Sequence, residues 1–138
     1  MLVPAPQPSL SARRAILSKV TILREAPEYL ALIAQTGKVV TRLDYQAYTK
    51  LALKTMDNIL AAARQSVSSV LHIAVYHRLG TVPVGEPSIV IAVSSPHRKE
   101  AFVACELVLE EVKRRAQIWK REFYEGEPDE AAQWKENH

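Results

Sequence analysis

Cysteine is nearly absent: Cys105 is the only one in 138 residues. Neither an internal disulfide framework nor a cysteine-rich zinc site can be built from it. Apolar runs are short, and none approaches the ~20 residues a membrane-spanning helix needs. Glycines number four and form no Gly-rich phosphate loop. The histidines are His72, His77, His97 and His138, with no pair at the i, i+4 spacing of a helical zinc site. Tyrosines and tryptophans are too scattered for a base-stacking platform. A domain-wide excess of one charge is also missing. The net charge is +3, but Arg13, Arg14, Lys19 and Arg24 stand in an acid-free stretch. That leaves 14 of the 18 bases against all 15 acids, so the remainder of the chain is at −1. A broad nucleic-acid surface therefore has little support.

What remains is ordinary globular composition, 48% hydrophobic and 24% charged, at a length that suits one domain. Residues 1–18 read as a mobile basic arm, with three of the eight prolines in the first ten positions. The stretch from Ser9 to Arg24 is compatible with an organelle transit peptide, a mitochondrial one included; the plainer reading is a solvated tail on a cytosolic protein. Residues 19–124 read as the folded domain and 125–138 as a polar C-terminal tail.

Within the domain, Lys19–Arg24 reads as a strand. Pro27 opens a predicted helix that carries Tyr29, Leu30, Leu32 and Ile33 and stops at Gly37. Lys38–Gln46 alternates as a strand. Tyr48, Leu51, Met56, Ile59, Leu60 and Ala63 recur at helical spacing. Val70–His77 is a predicted strand. Leu79–Pro87, with two glycines and two prolines, is a predicted turn-rich connection. Ser88–Ser94 is apolar enough for a central strand. Ala101, Phe102, Cys105, Val108, Leu109, Val112 and Ala116 mark a long helix, with Glu110–Arg114 and Glu111–Arg115 one turn apart on it. Strands and helices alternate without clean βαβ repeats. The fold class is therefore α+β, a small mixed or antiparallel sheet packed with two main helices.

Three clusters could carry chemistry. Ser94-Ser95-Pro96-His97-Arg98 falls where a strand should hand over to a helix. Free N–H groups at a helix start and an adjacent guanidinium suit a phosphate or carboxylate. A simple helix cap with a solvated Arg98 fits the spacing equally well. Lys113 to Glu122 is the second cluster. If the helix continued, Lys113 and Lys120, seven apart, would share a face, which would favour one amine as acid, base or nucleophile. The plain alternative is a basic helix end opposite the negative end of the helix dipole. Third, Tyr76-His77-Arg78-Leu79-Gly80 puts a second His-Arg pair at a strand end, where a structural histidine is the default. Cys105 sits in an apolar stripe and reads as packed, not nucleophilic.

Taken together and in order, several segments resemble the catalytic large subunit of molybdopterin synthase. They are His77-Arg78-Leu79-Gly80, Val84-Gly85-Glu86-Pro87-Ser88, Ile91-Ala92-Val93-Ser94-Ser95-Pro96-His97-Arg98-Lys99-Glu100-Ala101-Phe102, Lys113 to Glu122 and, more loosely, Leu43-Asp44-Tyr45-Gln46-Ala47-Tyr48. The resemblance implies the hammerhead-like fold of that family. It also implies transfer of sulfur from a thiocarboxylated ubiquitin-like small subunit to cyclic pyranopterin monophosphate, giving the molybdopterin dithiolene. No metal or other cofactor is implied. The implied partners are the small subunit and a second copy of this chain, within a heterotetramer. Matched position by position, Lys113 and Lys120 correspond to the catalytic lysines. His97 and Arg98 correspond to the anion-binding pair, and Arg121 and Glu122 to the neighbours of the second lysine. Against the family pattern, Gln117 stands where proline is usual. Before Gly37, a Gly-Ala-rich strand, a Phe-x-Gly segment and an Arg-bearing loop have no counterpart. The resemblance thus predicts a fold lacking one N-terminal strand, with impaired catalysis in a protein that only docks or dimerises as the alternative.

Overall fold

The computed structural model describes the backbone of residues 18–23 and the whole of residues 38–137. Residues 1–17 of the arm predicted over 1–18, and the predicted helix after Pro27, lie outside these. The described elements are β1 (Ser18–Leu23), β2 (Val40–Ala47), α1 (Thr49–Ser66), β3 (His72–Arg78), β4 (Gly80–Pro83), β5 (Ile89–Ser94), α2 (Arg98–Arg115), β6 (Ile118–Tyr124), a 3-10 turn at Asp129–Ala131 and β7 (Trp134–Glu136). The class is α+β with two main helices, as the periodicities predict.

The strands divide into two sheets instead of one. β3 lies between β1, which is parallel to it, and the antiparallel β5. The second sheet runs β4-β2-β6-β7 and is antiparallel throughout. Three expectations change here. Ser88–Ser94 reads as a central strand, yet among the described residues β5 is an edge and β3 is the middle strand. The stretch 79–87 reads as pure turn, yet Gly80–Pro83 pairs with β2. Gly80 at φ +83° makes the corner from β3, and Pro83 ends the pairing on an edge, where a missing N–H is tolerated. Most consequential, the helix carrying Lys113 stops at Arg115, so residues 118–124 are a strand.

The core lies between the helices and the sheets. α1 buries Ala52, Met56, Ile59, Leu60 and Ala63; α2 buries Ala104, Val108 and Val112. Small side chains at four-residue intervals on α2 let it approach α1 closely. Val75 from β3, Val82 from β4 and Ile118 from β6 join them. Met56, Ile59, Leu60, Ala63, Val108 and Val112 are buried as the helical spacing predicts, whereas three predicted positions are exposed. Phe102 is 73% exposed, and Leu51 and Tyr48 also face outward, while Ala52 and Ala104 take the buried positions. Cys105 is half-buried.

The end of α2 has a definite cause. Ala116 is extended, and Gln117 is tied on three sides. Its amide Nε2 donates to the Arg115 carbonyl at 2.9 Å, its Oε1 accepts from Thr55 Oγ1 at 2.8 Å, and its carbonyl accepts the Tyr48 N–H at 3.2 Å. Gln117 therefore holds the end of the helix through its own hydrogen bonds and anchors the turn to α1.

Candidate active site

Residues opposite one another in the four-stranded sheet share a face. Leu43 opposes Glu122, Tyr45 opposes Lys120, and Ala47 opposes Ile118. These point to the interior side. Arg42 opposes Phe123, and Asp44 opposes Arg121; these lie on the opposite face, where Phe123 is buried under arginine side chains. The interior side opens toward the last turns of α2 as a cleft of about 290 Å³, lined by Leu43, Tyr45, His77, Ser88, Ile89, Leu109, Lys113, Lys120, Glu122 and Asn137. Lys113 and Lys120 thus meet at one site, although one is on a helix and the other on a strand. A shared helix face is not what brings them together.

Glu122 organises the cleft. Its carboxylate holds Lys120 Nζ at 3.0 Å, accepts a short hydrogen bond from the Tyr124 hydroxyl, and has Lys135 Nζ at 3.8 Å. Burial alone would raise the Glu122 carboxyl. The hydrogen bonds from Tyr124 and Lys120 and the charges of Lys120 and Lys135 outweigh it and hold the group below its usual range. The same bond, with burial and the negative charge, pushes the Tyr124 phenol up to about 12.

Lys113 is exposed at the cleft rim and makes no ion pair among the described residues. Its neighbours are neutralised instead. Glu111 takes Arg114 at 2.7 Å and Arg115 at 3.1 Å, so Arg114 turns to Glu111 and not to Glu110. Those two hydrogen-bonded guanidiniums hold the Glu111 carboxyl below its usual range.

Two sequence-predicted site residues do not reach the cleft within one chain. His97 stands at the N-cap position of α2 without a side-chain capping bond, and Arg98 is the first residue of the helix; both are exposed. At 1.5 Å per residue they stand about 24 Å along the helix from Lys113. Arg121 is the second correction, since strand alternation sends it to the outer face. There it bonds Asp44 at 2.9 Å and lies over Phe123 at 4.8 Å and Trp134 at 4.9 Å. Arg42 covers the other side of Phe123 at 3.6 Å and pairs with Asp129 at 2.6 Å.

The cleft also holds His77, which the sequence reads by default as a structural histidine, with Tyr45 and Asn137, to which it gives no role. Tyr45 packs edge-on against His77 at 5.0 Å between ring centroids. His77 is buried, and burial lowers its proton affinity despite the hydrogen bond to the Arg78 carbonyl. Asn137 reaches in from beyond β7. Among the described residues no group of three His, Cys, Asp or Glu side chains could hold a metal, and no helix is long and apolar enough to cross a membrane.

Known proteins supply the context. Residues 15–115 match the family model described as MoaE protein. The molybdopterin synthase catalytic subunit of Drosophila willistoni is 50% identical over 101 residues, which are 73% of this chain and 27% of that protein. The matched region is thus about a quarter of the fly relative's length. The crystal structure of molybdopterin synthase from Staphylococcus aureus superposes with a TM-score of 0.66 at 28% identity, covering 80% of this chain and 76% of that one. A chain from the complex of subunits 1 and 2 of the Helicobacter pylori molybdopterin-converting factor shares the fold, with a TM-score of 0.55 at 20% identity over 75% of this chain and 65% of that one. With the family model spanning most of its residues, the chain belongs to the MoaE family.

Proposed function

We propose that this chain is a catalytic subunit of molybdopterin synthase. In this reading it moves sulfur from the thiocarboxylate terminus of a ubiquitin-like small subunit to cyclic pyranopterin monophosphate in a cytosolic setting. The observation that carries it is the single cleft in which Lys113, Lys120 and Glu122 converge from α2 and β6. The names of the relatives agree with it.

The chemistry needs three things from the protein. Anionic groups on substrate and tail must be held, and two amines at a cleft mouth do this. Charge that develops as the cyclic phosphate opens must be met by a fixed donor; Lys120, pinned by Glu122 at 3.0 Å, is one. Protons must also move. The tail's sulfur bonds to a pterin carbon as a carbon–oxygen bond of the substrate breaks, which leaves a thioester to the tail's acyl carbon. Water then supplies oxygen to that carbon, and the spent tail departs as a carboxylate. Lys113, with no carboxylate partner among the described residues, is the candidate acid–base group for these transfers. His97 and Arg98 are too far away along α2 to act beside Lys113 in the same chain. Their role in anion binding therefore requires a second copy that presents its α2 N-terminus to this cleft. Arg121 is a structural residue of the outer face.

The test is to mix the chain with thiocarboxylated small subunit and cyclic pyranopterin monophosphate and to assay dithiolene product. Lys113→Ala and Lys120→Ala should each lower turnover by at least about a hundredfold. Wild-type rates in both variants would overturn the assignment.

A further inference from the structure

His77 is the one buried polar side chain among the described residues, at 1% exposure, and its hydrogen bonds go to neither lysine nor Glu122. Its Nδ1 lies 2.8 Å from the Arg78 carbonyl. A carbonyl only accepts, so Nδ1 carries the proton and Nε2 presents a lone pair. The Asn137 amide Nδ2 donates to that lone pair at 3.3 Å. This bond joins β3 in one sheet to the segment after β7 in the other.

What the bond holds matters for the cleft. β7 is three residues long and exposed throughout, and among the described residues it pairs with β6 alone. So short an exposed edge strand is held only weakly by its ladder alone, with Trp134 meeting Arg121 at 4.9 Å on the outer face. Yet alternation along it sends Lys135 and then Asn137 to the cleft side. Lys135 reaches Glu122 at 3.8 Å. Asn137 lines both the cleft and a smaller groove of about 130 Å³, whose lining also includes Lys113, Trp119 and Glu136.

We propose that the His77–Asn137 hydrogen bond is a latch that seats the β7 segment as one wall of the cleft. His77 is then a positioning residue for the Lys120–Glu122–Lys135 array, and Asn137 is the partition between cleft and groove. With the latch undone, Lys135 leaves Glu122, and the two cavities run together beside Lys113. The catalytic part of this statement rests on the cleft being the active site; the latch itself does not.

The experiment uses the full chain, labelled with 15N. In the wild type the His77 ring should show one protonated nitrogen and one unprotonated, hydrogen-bonded nitrogen near neutral pH, and the β7 amides should exchange slowly. Asn137→Ala, which removes no core group, should speed exchange in β7 about tenfold or more while the α1 and α2 amides keep wild-type rates. In the sulfur-transfer assay it should raise KM more than it lowers kcat. Asn137→Asp should instead protonate the His77 ring, because a carboxylate accepts and cannot donate to Nε2. His77→Asn keeps a donor for the Arg78 carbonyl but leaves Asn137 without an acceptor, and should match Asn137→Ala. If it does not fold, Asn137→Ala decides alone. Unchanged β7 exchange in Asn137→Ala, or a wild-type ring protonated at Nε2, would overturn the latch. A wild-type chain that makes no dithiolene while the exchange results hold would overturn the proposed reaction and leave the latch standing. Normal turnover and KM in Asn137→Ala with fast β7 exchange would overturn the positioning role.

Discussion

Replacing Glu122 by Gln should destabilise the fold by about 2 kcal/mol near neutral pH, and by less at an acid pH below 4.5. Gln keeps the size of the side chain and removes only its charge. The carboxylate holds Lys120 at 3.0 Å and Lys135 at 3.8 Å and accepts from Tyr124. An exposed pair contributes under about 1 kcal/mol, and breaking a fully buried one costs about 3–5 kcal/mol. The Glu122 and Lys120 side chains are 17% and 21% exposed, which places this loss between those limits. The sign with pH follows from the carboxyl being held below its ordinary 4.5. The unfolded chain takes up a proton before the native one does. Glu122 therefore stabilises above about pH 4.5 and loses that contribution as pH falls through its native value. Urea unfolding is the assay: with an ordinary m-value the midpoint should drop by about 1 M near neutral pH, with the slope unchanged. A second readout is ultraviolet titration of the phenols. Tyr124, raised to about 12, should move back toward the ordinary 10.0 in the variant. A midpoint loss that is equal at both pH values, or a Tyr124 titration that does not move, would refute this account of the cleft.

Other outcomes follow from the same geometry. Met56→Ala empties a site that is 0% exposed between α1 and its neighbours and should cost about 3 kcal/mol in urea unfolding. A loss under about 1 kcal/mol would mean that the helix layer is loosely packed. His77 binds its proton less readily than the ordinary 6.5, so its contribution to stability is complete above about pH 6.5 and shrinks as pH falls through the native value. His77→Gln should flatten that acid limb, and an unchanged limb would point to other groups. If His97 and Arg98 serve the cleft of a second copy, an equimolar mixture of Arg98→Ala and Lys113→Ala chains, exchanged through unfolding, should recover about a quarter of wild-type turnover. No recovery would place both residues in one chain's site or in none.

How far the sequence reached depended on the range of the interactions. The α+β class, α1, α2, β2, β3 and β5 could be read because each has its own hydrophobic period. β4 could not, since Gly80-Thr81-Val82-Pro83 has the composition of a turn and becomes a strand only by pairing with β2. β6 was hidden for the opposite reason. Its basic run continues the polar face of α2, and the break at Ala116 and Gln117 has neither glycine nor proline to announce it. Phe102 looked like core because a large apolar side chain shares the helical period; the small Ala104 is what close helix packing selects. At the site, resemblance supplied Lys113, Lys120 and Glu122, and the strand explains why Arg121 departs from them. His77 and Asn137 are 60 positions apart and had no local signal to join them.

The register of β6 on β2 sorts a run of charged and aromatic residues into two chemically different surfaces. Lys120 and Glu122 go to the cleft. Trp119, Arg121 and Phe123 go to an outer face where arginines and rings stack and Asp44 and Asp129 neutralise the charge. A slip of one residue would exchange the two sets completely, putting a guanidinium and a phenyl ring where the amine and carboxylate belong. The irregularity between Val40 and Arg42 lies at the far end of the ladder, next to Tyr124. An insertion or deletion there could be absorbed without re-sorting the cleft. The same change between Gln117 and Lys120 could not, so the short passage from helix to strand should be the least length-tolerant part of the chain.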